Sequence, residues 1–232
     1  MSEKLAKIAF NKFLGKKGKL EKAIIGGMMN HSYIFSCDNK KYLVYIPSES
    51  GKEMVIRPLE YENIKLISEL DIAPKNLYFD TETGVKINEY CEGESLDKLK
   101  LEDNDIKAVA AILKKLHKSK LLSRTDYPLF TSLMGYEEQL FAYTTAVDAS
   151  YKTLKNILIA NKSFLMKFKK CICHNDAQRS NFIRCTDGTH KIIDFEFMMN
   201  NDPIYDIATF GNADVNEGYK LLTEYFGSKL TD

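Results

Sequence analysis

The chain has no tryptophan, no Cys-x-x-Cys pair, almost no net charge, and no apolar run approaching the roughly 18 residues a membrane span needs. Each absence excludes something. Without tryptophan, the strongest aromatic face for holding a cation is missing. A formal charge of +1 over 232 residues creates no global field for nucleic acid or an anionic membrane. The lysines that crowd the first 22 residues read as a solvated helix face, and no basic stripe interleaved with aromatics follows them, so nucleic acid is not an expected partner. The longest apolar run, residues 108–113, lies inside an amphipathic pattern, and the opening "MSEKLAKIAF" lacks a signal-peptide core. Five cysteines, an odd number with no such leader, are expected to be free thiols in a reducing cytoplasm. Cys171, Cys173 and His174 do not read as a zinc site, because no second ligand pair stands at zinc-site spacing.

What is present divides in two. Residues 2–13 read as an amphipathic helix. Strand-like runs follow at 20–25, 32–37 and 41–46, with Asp38-Asn39 as the turn between the last two. Residues 48–57 read as loop. Pro58 then opens a helix whose apolar spacing runs to Leu70, and residues 76–79 and 84–90 form a second hairpin around "DTET". Beyond "CEGESLD" the pattern turns helical. Ile106, Val109, Ala110, Leu113 and Leu116 line one face of a helix at 103–118, and His117 ends that face as a structural hydrogen-bonding group. Further helices are expected at 134–146 and 151–168. A β-rich first part (1–90) and a mainly helical second part (91–232) imply an α+β protein of two lobes with a cleft between them.

The stretch "CHNDAQRSNFIRCTDGTHKIIDFEF" carries the chemistry. Asp187-Gly188 between apolar runs signals a two-residue hairpin. That register sets Ile183 opposite Ile192, Phe182 opposite Ile193 and Asn181 opposite Asp194. Directly opposed residues stand about 5 Å apart at Cβ. Glu196 follows on the same face as Asp194. Oxygen ligands from Asn181, Asp194 and Glu196 suit Mg²⁺, which completes its shell with water and phosphate. Asp176, five residues before Asn181, could then reach a substrate hydroxyl beside the metal, which is the equipment of phosphoryl transfer.

"CHNDAQRSNFI" and "IIDFEF" resemble the choline/ethanolamine kinases, relatives of the aminoglycoside phosphotransferases and protein kinases. "GGMMNHSYIF", "YLVYIP", "NDPIYDIATF" and the Leu116-His117 pair are most similar to the bacterial Lic-type choline kinases, and the resemblance runs from about residue 20 to 226. It implies a protein-kinase-like two-lobe fold and Mg-ATP-dependent phosphorylation of a small amino alcohol, choline first. By resemblance Asp176 is the catalytic base, Asn181 and Asp194 hold Mg²⁺ with Glu196 beside them, and Gln178 borders the acceptor pocket. His174 and Asp206 brace the catalytic loop. Gly27, Asn30 and Ser32 belong to the loop over the ATP phosphates, with Gly26-Gly27 allowing close backbone approach. Glu60 pairs a phosphate-binding base, and the hinge at 88–91 offers Glu89 and Cys91 to adenine.

Three positions depart from the family. Tyr45 stands where a lysine or arginine is expected on the third strand; Lys41 lies too far along it, and Arg57 is the candidate substitute. The chain ends near where the family adds helices that bring aromatic faces to the ammonium. Asp214 is offset by about one position from the acid near that ammonium. These departures keep open an ethanolamine, thiamine or aminoglycoside acceptor, and a kinase-like binding protein with weak or no catalysis.

Overall fold

The computed structural model describes residues 2–24 and 27–229. The first lobe starts with helix α1 (Ser2–Leu14), which lays Ala6 and Phe10 on a five-stranded antiparallel sheet. Its strands are β1 (Lys19–Ile24), β2 (Asn30–Cys37), β3 (Lys40–Pro47), β4 (Asn76–Phe79) and β5 (Lys86–Glu89), in the order β1-β2-β3-β5-β4. Strand alternation sends Tyr33, Phe35, Val44, Ile46 and Ile87 toward α1, where Phe10 stacks on Phe35 at 4.6 Å between centroids. The opposite face carries Ser32, Tyr45 and Lys86. Tyr45 is the cross-strand partner of both Ser32 and Lys86. Asp38 and Asn39, with φ of 52° and 59°, make the two-residue turn with positive φ at both positions that the sequence signals.

Residues 48–57 are not all loop. They hold a short helix α2 (Glu49–Met54), capped by Ser48, whose Oγ accepts from the Gly51 amide at 3.0 Å. Six residues are too few to show a helical period, so the cap was the only signal. Helix α3 (Arg57–Ile67) follows with Pro58 in its first turn, as expected.

The second lobe runs β6 (Gly93–Ser95), α4 (Asp103–His117), α5 (Leu129–Tyr143), α6 (Ala149–Ala160), α7 (Lys162–Leu165), β7 (Cys171–Cys173), β8 (Phe182–Cys185), β9 (His190–Ile192), β10 (Met199–Asn201), α8 (Ile204–Phe210) and α9 (Val215–Phe226). The helix expected at 134–146 starts five residues earlier, on Pro128, and the one expected at 151–168 breaks at Asn161. The apolar stripe of α4 is buried against α9, β7 and β9 in a second core with Leu221, Ile172 and Ile192. Where α8 meets α9, a Cβ on Gly211 would stand 2.8 Å from Gly218 Cα, so this crossing requires glycine. The end of α3 (Ile67) and Ile72 pack into this second core, which ties the first lobe's helix to the second lobe.

The cysteine expectation is corrected here. Cys91, just after β5, forms a disulfide with Cys185 at the end of β8, while Cys37, Cys171 and Cys173 are free. The two partners are 94 residues apart, and no spacing pattern in the sequence marks them.

Candidate active site

The loop after β7 is set from below by one buried carboxylate. Asp206 accepts from the His174 amide at 2.8 Å, the Asn175 amide at 2.7 Å and His117 Nε2 at 2.9 Å. Burial alone would raise its pKa, but these hydrogen bonds and the nearby imidazoles outweigh it and hold Asp206 below the usual carboxylate range. His117 Nδ1 lies 2.9 Å from the Tyr225 hydroxyl, so His117 links α4, α8 and α9 as the structural group its position suggested. Asn175 adopts φ of 63°, an uncommon conformation held by hydrogen bonds from its Nδ2 to Phe197 and Met199 carbonyls.

This frame presents Asp176. Its Oδ2 accepts from Asn181 Nδ2 at 2.9 Å and from Gln178 Nε2 at 3.3 Å. Burial, with the Asp194 charge adding to it, pushes the Asp176 carboxyl above its ordinary value despite these donors. Asp176, Gln178 and Asn181 are therefore one hydrogen-bonded group.

The hairpin is real, but its register differs by one residue. Phe182 pairs with Ile192, Ile183 with Lys191 and Arg184 with His190. The turn is a three-residue loop: the Gly188 amide donates to the Cys185 carbonyl at 3.0 Å, the Cys185 amide to the Thr189 carbonyl at 2.8 Å, and Gly188 takes φ of 84°. Asn181 consequently faces Ile193, whose amide donates to its carbonyl at 2.9 Å. Asp194 follows with φ of 70°, turning the chain out of the strand.

Above Asp194 sits a buried ionic cluster that was only partly anticipated. Glu60 accepts from Arg57 Nη1 at 2.7 Å and from Lys86 Nζ at 2.5 Å. Lys86 also stands 3.7 Å from Asp194 Oδ1 and 4.6 Å from the centre of the Tyr45 ring. Asn30 Nδ2 donates to Glu196 Oε2 at 2.8 Å, closing the cluster under the segment that precedes β2. Tyr45 does not leave Glu60 without a basic partner: Arg57, the substitute named from the sequence, pairs with it, and Lys86, which was not foreseen, does so from the neighbouring strand. Lys41 points elsewhere, to Glu92 at 2.8 Å.

The remaining expected residues divide. Gly27 lies in the segment over the cluster, and a Cβ there would meet the Asn30 carbonyl oxygen at 2.6 Å; Gly26 lies outside the described residues. Ser32 is half-buried beside Tyr45. Glu89 is exposed, and its amide donates to the Lys75 carbonyl at 2.9 Å. Cys91 is pinned by the disulfide rather than being a free thiol. Asp214 caps α9, accepting from the Asn216 amide at 2.9 Å; the α9 side chain that reaches the catalytic loop is Glu217, 2.7 Å from Arg179. The offset that set Asp214 apart from the family thus has a structural task behind it.

A family model for choline/ethanolamine kinase matches residues 22–217. The chain belongs to that family. It is 25% identical over 193 residues to Protein LicA of Haemophilus influenzae, an alignment covering 80% of this chain and 56% of that protein. The chain thus spans little more than half the length of that relative. Among solved structures, choline kinase LicA from Streptococcus pneumoniae superposes with a TM-score of 0.76 at 25% identity, over 99% of this chain and 82% of that one. A LicA structure in complex with AMP gives 0.75 at 24%, with the same coverage. The two-lobe kinase-like fold and the family membership expected from the motifs are both found.

Kinases of this family imply magnesium, and the residues here fit it. Asp194 Oδ1 is buried and has no hydrogen-bond partner among the described residues. Asn181 directs its Nδ2 to Asp176, which turns its carbonyl oxygen the other way. Burial and the Asp194 charge push Glu196 up to about 7, the mark of two acids crowded without enough positive charge between them. All-oxygen donors of this kind suit a hard divalent cation.

Proposed function

We propose that this chain transfers the γ-phosphoryl group of ATP to the hydroxyl of choline or a similar small amino alcohol. One observation carries the reading. Of five buried side-chain polar atoms without a hydrogen-bond partner among the described residues, three lie in a single cluster: Asn30 Oδ1, Arg57 Nε and Asp194 Oδ1. Native proteins rarely leave such atoms unsatisfied, and their concentration marks a place built for a polar ligand.

In this reading Asp176 orients the acceptor hydroxyl and takes its proton as the oxygen bonds to the γ-phosphorus and ADP departs. Its raised basicity helps that step, and Gln178 and Asn181 fix its direction. Gln178 also borders the acceptor. Asn181 and Asp194 would hold Mg²⁺, with Glu196 beside them, and the ion would neutralise charge on the phosphate oxygens. Gly27, Asn30 and Ser32 cover the phosphates from the loop before β2, and Glu60 orients the base that meets them. At the hinge the Glu89 and Tyr90 amides are engaged by the Lys75 and Lys41 carbonyls, so the Glu89 carbonyl and Cys91 amide are the groups we assign to adenine. Residues 1–90 would then make up the nucleotide lobe and 91–232 the acceptor lobe, with Ile67 and Ile72 of the first packed into the core of the second. We assign the reaction to the cytoplasm, where its ATP is available.

The test is ADP release from Mg-ATP with choline, ethanolamine, thiamine and an aminoglycoside as acceptors. Choline-dependent release that disappears in Asp176→Asn supports the reading. Release with none of the four would remove catalysis from it.

A further inference from the structure

We propose that Lys86 is the cation that holds the α- and β-phosphates of ATP, supplied from β5 in place of the third strand, with the Tyr45 ring as its seat. The inference rests on the kinase reading for the identity of the anion, but not on which acceptor is phosphorylated.

Lys86 is the one buried lysine among the described residues. Taking an ammonium out of water costs several kcal/mol unless its partners compensate. An ammonium has three N–H groups. Lys86 engages one of them, with Glu60 Oε1 at 2.5 Å. Asp194 Oδ1, at 3.7 Å, is in ion-pair range but beyond a hydrogen bond. The Tyr45 ring, 4.6 Å away, attracts the charge without accepting a conventional hydrogen bond. Two N–H groups of a buried cation are therefore available beside the carboxylate assigned to the metal. An anionic oxygen between Asp194 and the segment ending at Asn30 would meet both.

The other cations are held mainly by protein partners, although Arg57 keeps one unpartnered N–H at Nε. Arg57 holds Glu60 through Nη1 and the Gly51 carbonyl through Nη2 at 3.1 Å, and Gly84 packs on its stem. It acts as a brace that orients Glu60. Lys41 is largely exposed and paired with Glu92. The register explains why Lys86 can do the work of a third-strand base. It is directly opposite Tyr45, so its Cβ starts about 5 Å from the Tyr45 Cβ. A long side chain from β5 crosses that gap over the phenol ring to the position a β3 ammonium would occupy. Tyr45 is then a positioning residue for Lys86.

Calorimetric binding of Mg-ATP and of adenosine, which lacks phosphates, separates this role from a structural one. Lys86→Met should weaken ATP by at least about tenfold while adenosine binding stays within about twofold. Returning the cation to β3, in the double variant Tyr45→Lys/Lys86→Met, should recover most of the ATP affinity. Lys86→Arg, which keeps the charge, should retain it within about fivefold. If Lys86→Met loses adenosine as well, the last two variants decide: recovery of ATP binding in both supports the proposal, and failure of either overturns it. ATP affinity unchanged in Lys86→Met overturns it outright. Wild-type protein that binds ATP in a Lys86-dependent way, yet phosphorylates no acceptor, supports this proposal while refuting the catalytic reading. Wild-type protein that binds no ATP overturns both.

Discussion

Tyr45 looks like a defect when read alone and like a support once its neighbour is known. The phenol is buried, with its pKa pushed far above normal, so it is a neutral ring with a cation on its face. Tyr45→Lys in an otherwise native chain would place a second ammonium about 5 Å from the first at Cβ, in a buried cross-strand pair. Like charges so placed repel, and Glu60 already has two basic partners. The expected outcome is a lower melting temperature and no gain in turnover, read by thermal unfolding and the ADP assay together. This reverses what the sequence suggests, where a lysine at 45 would restore a missing clamp. Asp176→Asn is the complementary case. The amide keeps the size of the side chain but cannot accept a proton, so kcat should fall by at least about 10²-fold while ATP affinity, set at a different group, changes little. Single-turnover rates beside ATP titrations check both halves.

At the scale of elements, the periodic ones were legible and the pairings were not. The helix α4 lies at 103–117 against an expected 103–118, and strand β4 at the expected 76–79, because a one-sided apolar face is written in local spacing. The hairpin β8–β9 was found through Asp187-Gly188, but the same dipeptide serves a two-residue turn and a three-residue loop with glycine in the left-handed region. The choice moves the register by one, and in the loop that forms Asp187 accepts from the Thr189 amide at 2.9 Å and hydroxyl at 2.7 Å. Asp176, Asn181 and Asp194 were visible because they crowd into nineteen positions around that hairpin. Lys86 was not, since its place beside Tyr45 depends on β5 inserting between β3 and β4, a non-local fact. Helix α9 offers a separate test. Asp214 is its N-cap, and Asp214→Ala should cost about 1 kcal/mol of stability, typical for a lost cap. An unchanged KM for the acceptor in that variant would confirm that capping is its whole task; a raised KM would return it to the acceptor pocket.

At the scale of the whole molecule, specific polar contacts around the site join the two lobes, beside the packing of Ile67 and Ile72 into the second core. Asn30 reaches Glu196, Asn63 donates to the Met198 carbonyl at 2.6 Å, and Lys86 faces Asp194. The covalent tie is Cys91 to Cys185, which fastens the segment between the lobes to the β8–β9 hairpin. It closes a loop 94 residues apart in sequence, long enough that the cross-link removes substantial entropy from the unfolded chain, typically about 2–4 kcal/mol. For a chain of this size each kcal/mol moves the melting temperature by about 2–4 °C. Oxidised wild type should therefore melt roughly 5–15 °C above Cys91→Ser, and the difference should vanish when both are measured in dithiothreitol. The three free cysteines give an internal control: Cys37→Ser, on β2 and far in sequence from the bond, should keep the full reductant-dependent shift of the wild type. Equal melting of wild type and Cys91→Ser under oxidising conditions would mean that the two thiols do not pair in solution. The hinge would then be held only by its hydrogen bonds to Lys75 and Lys41, and ATP affinity would be the same with and without reductant.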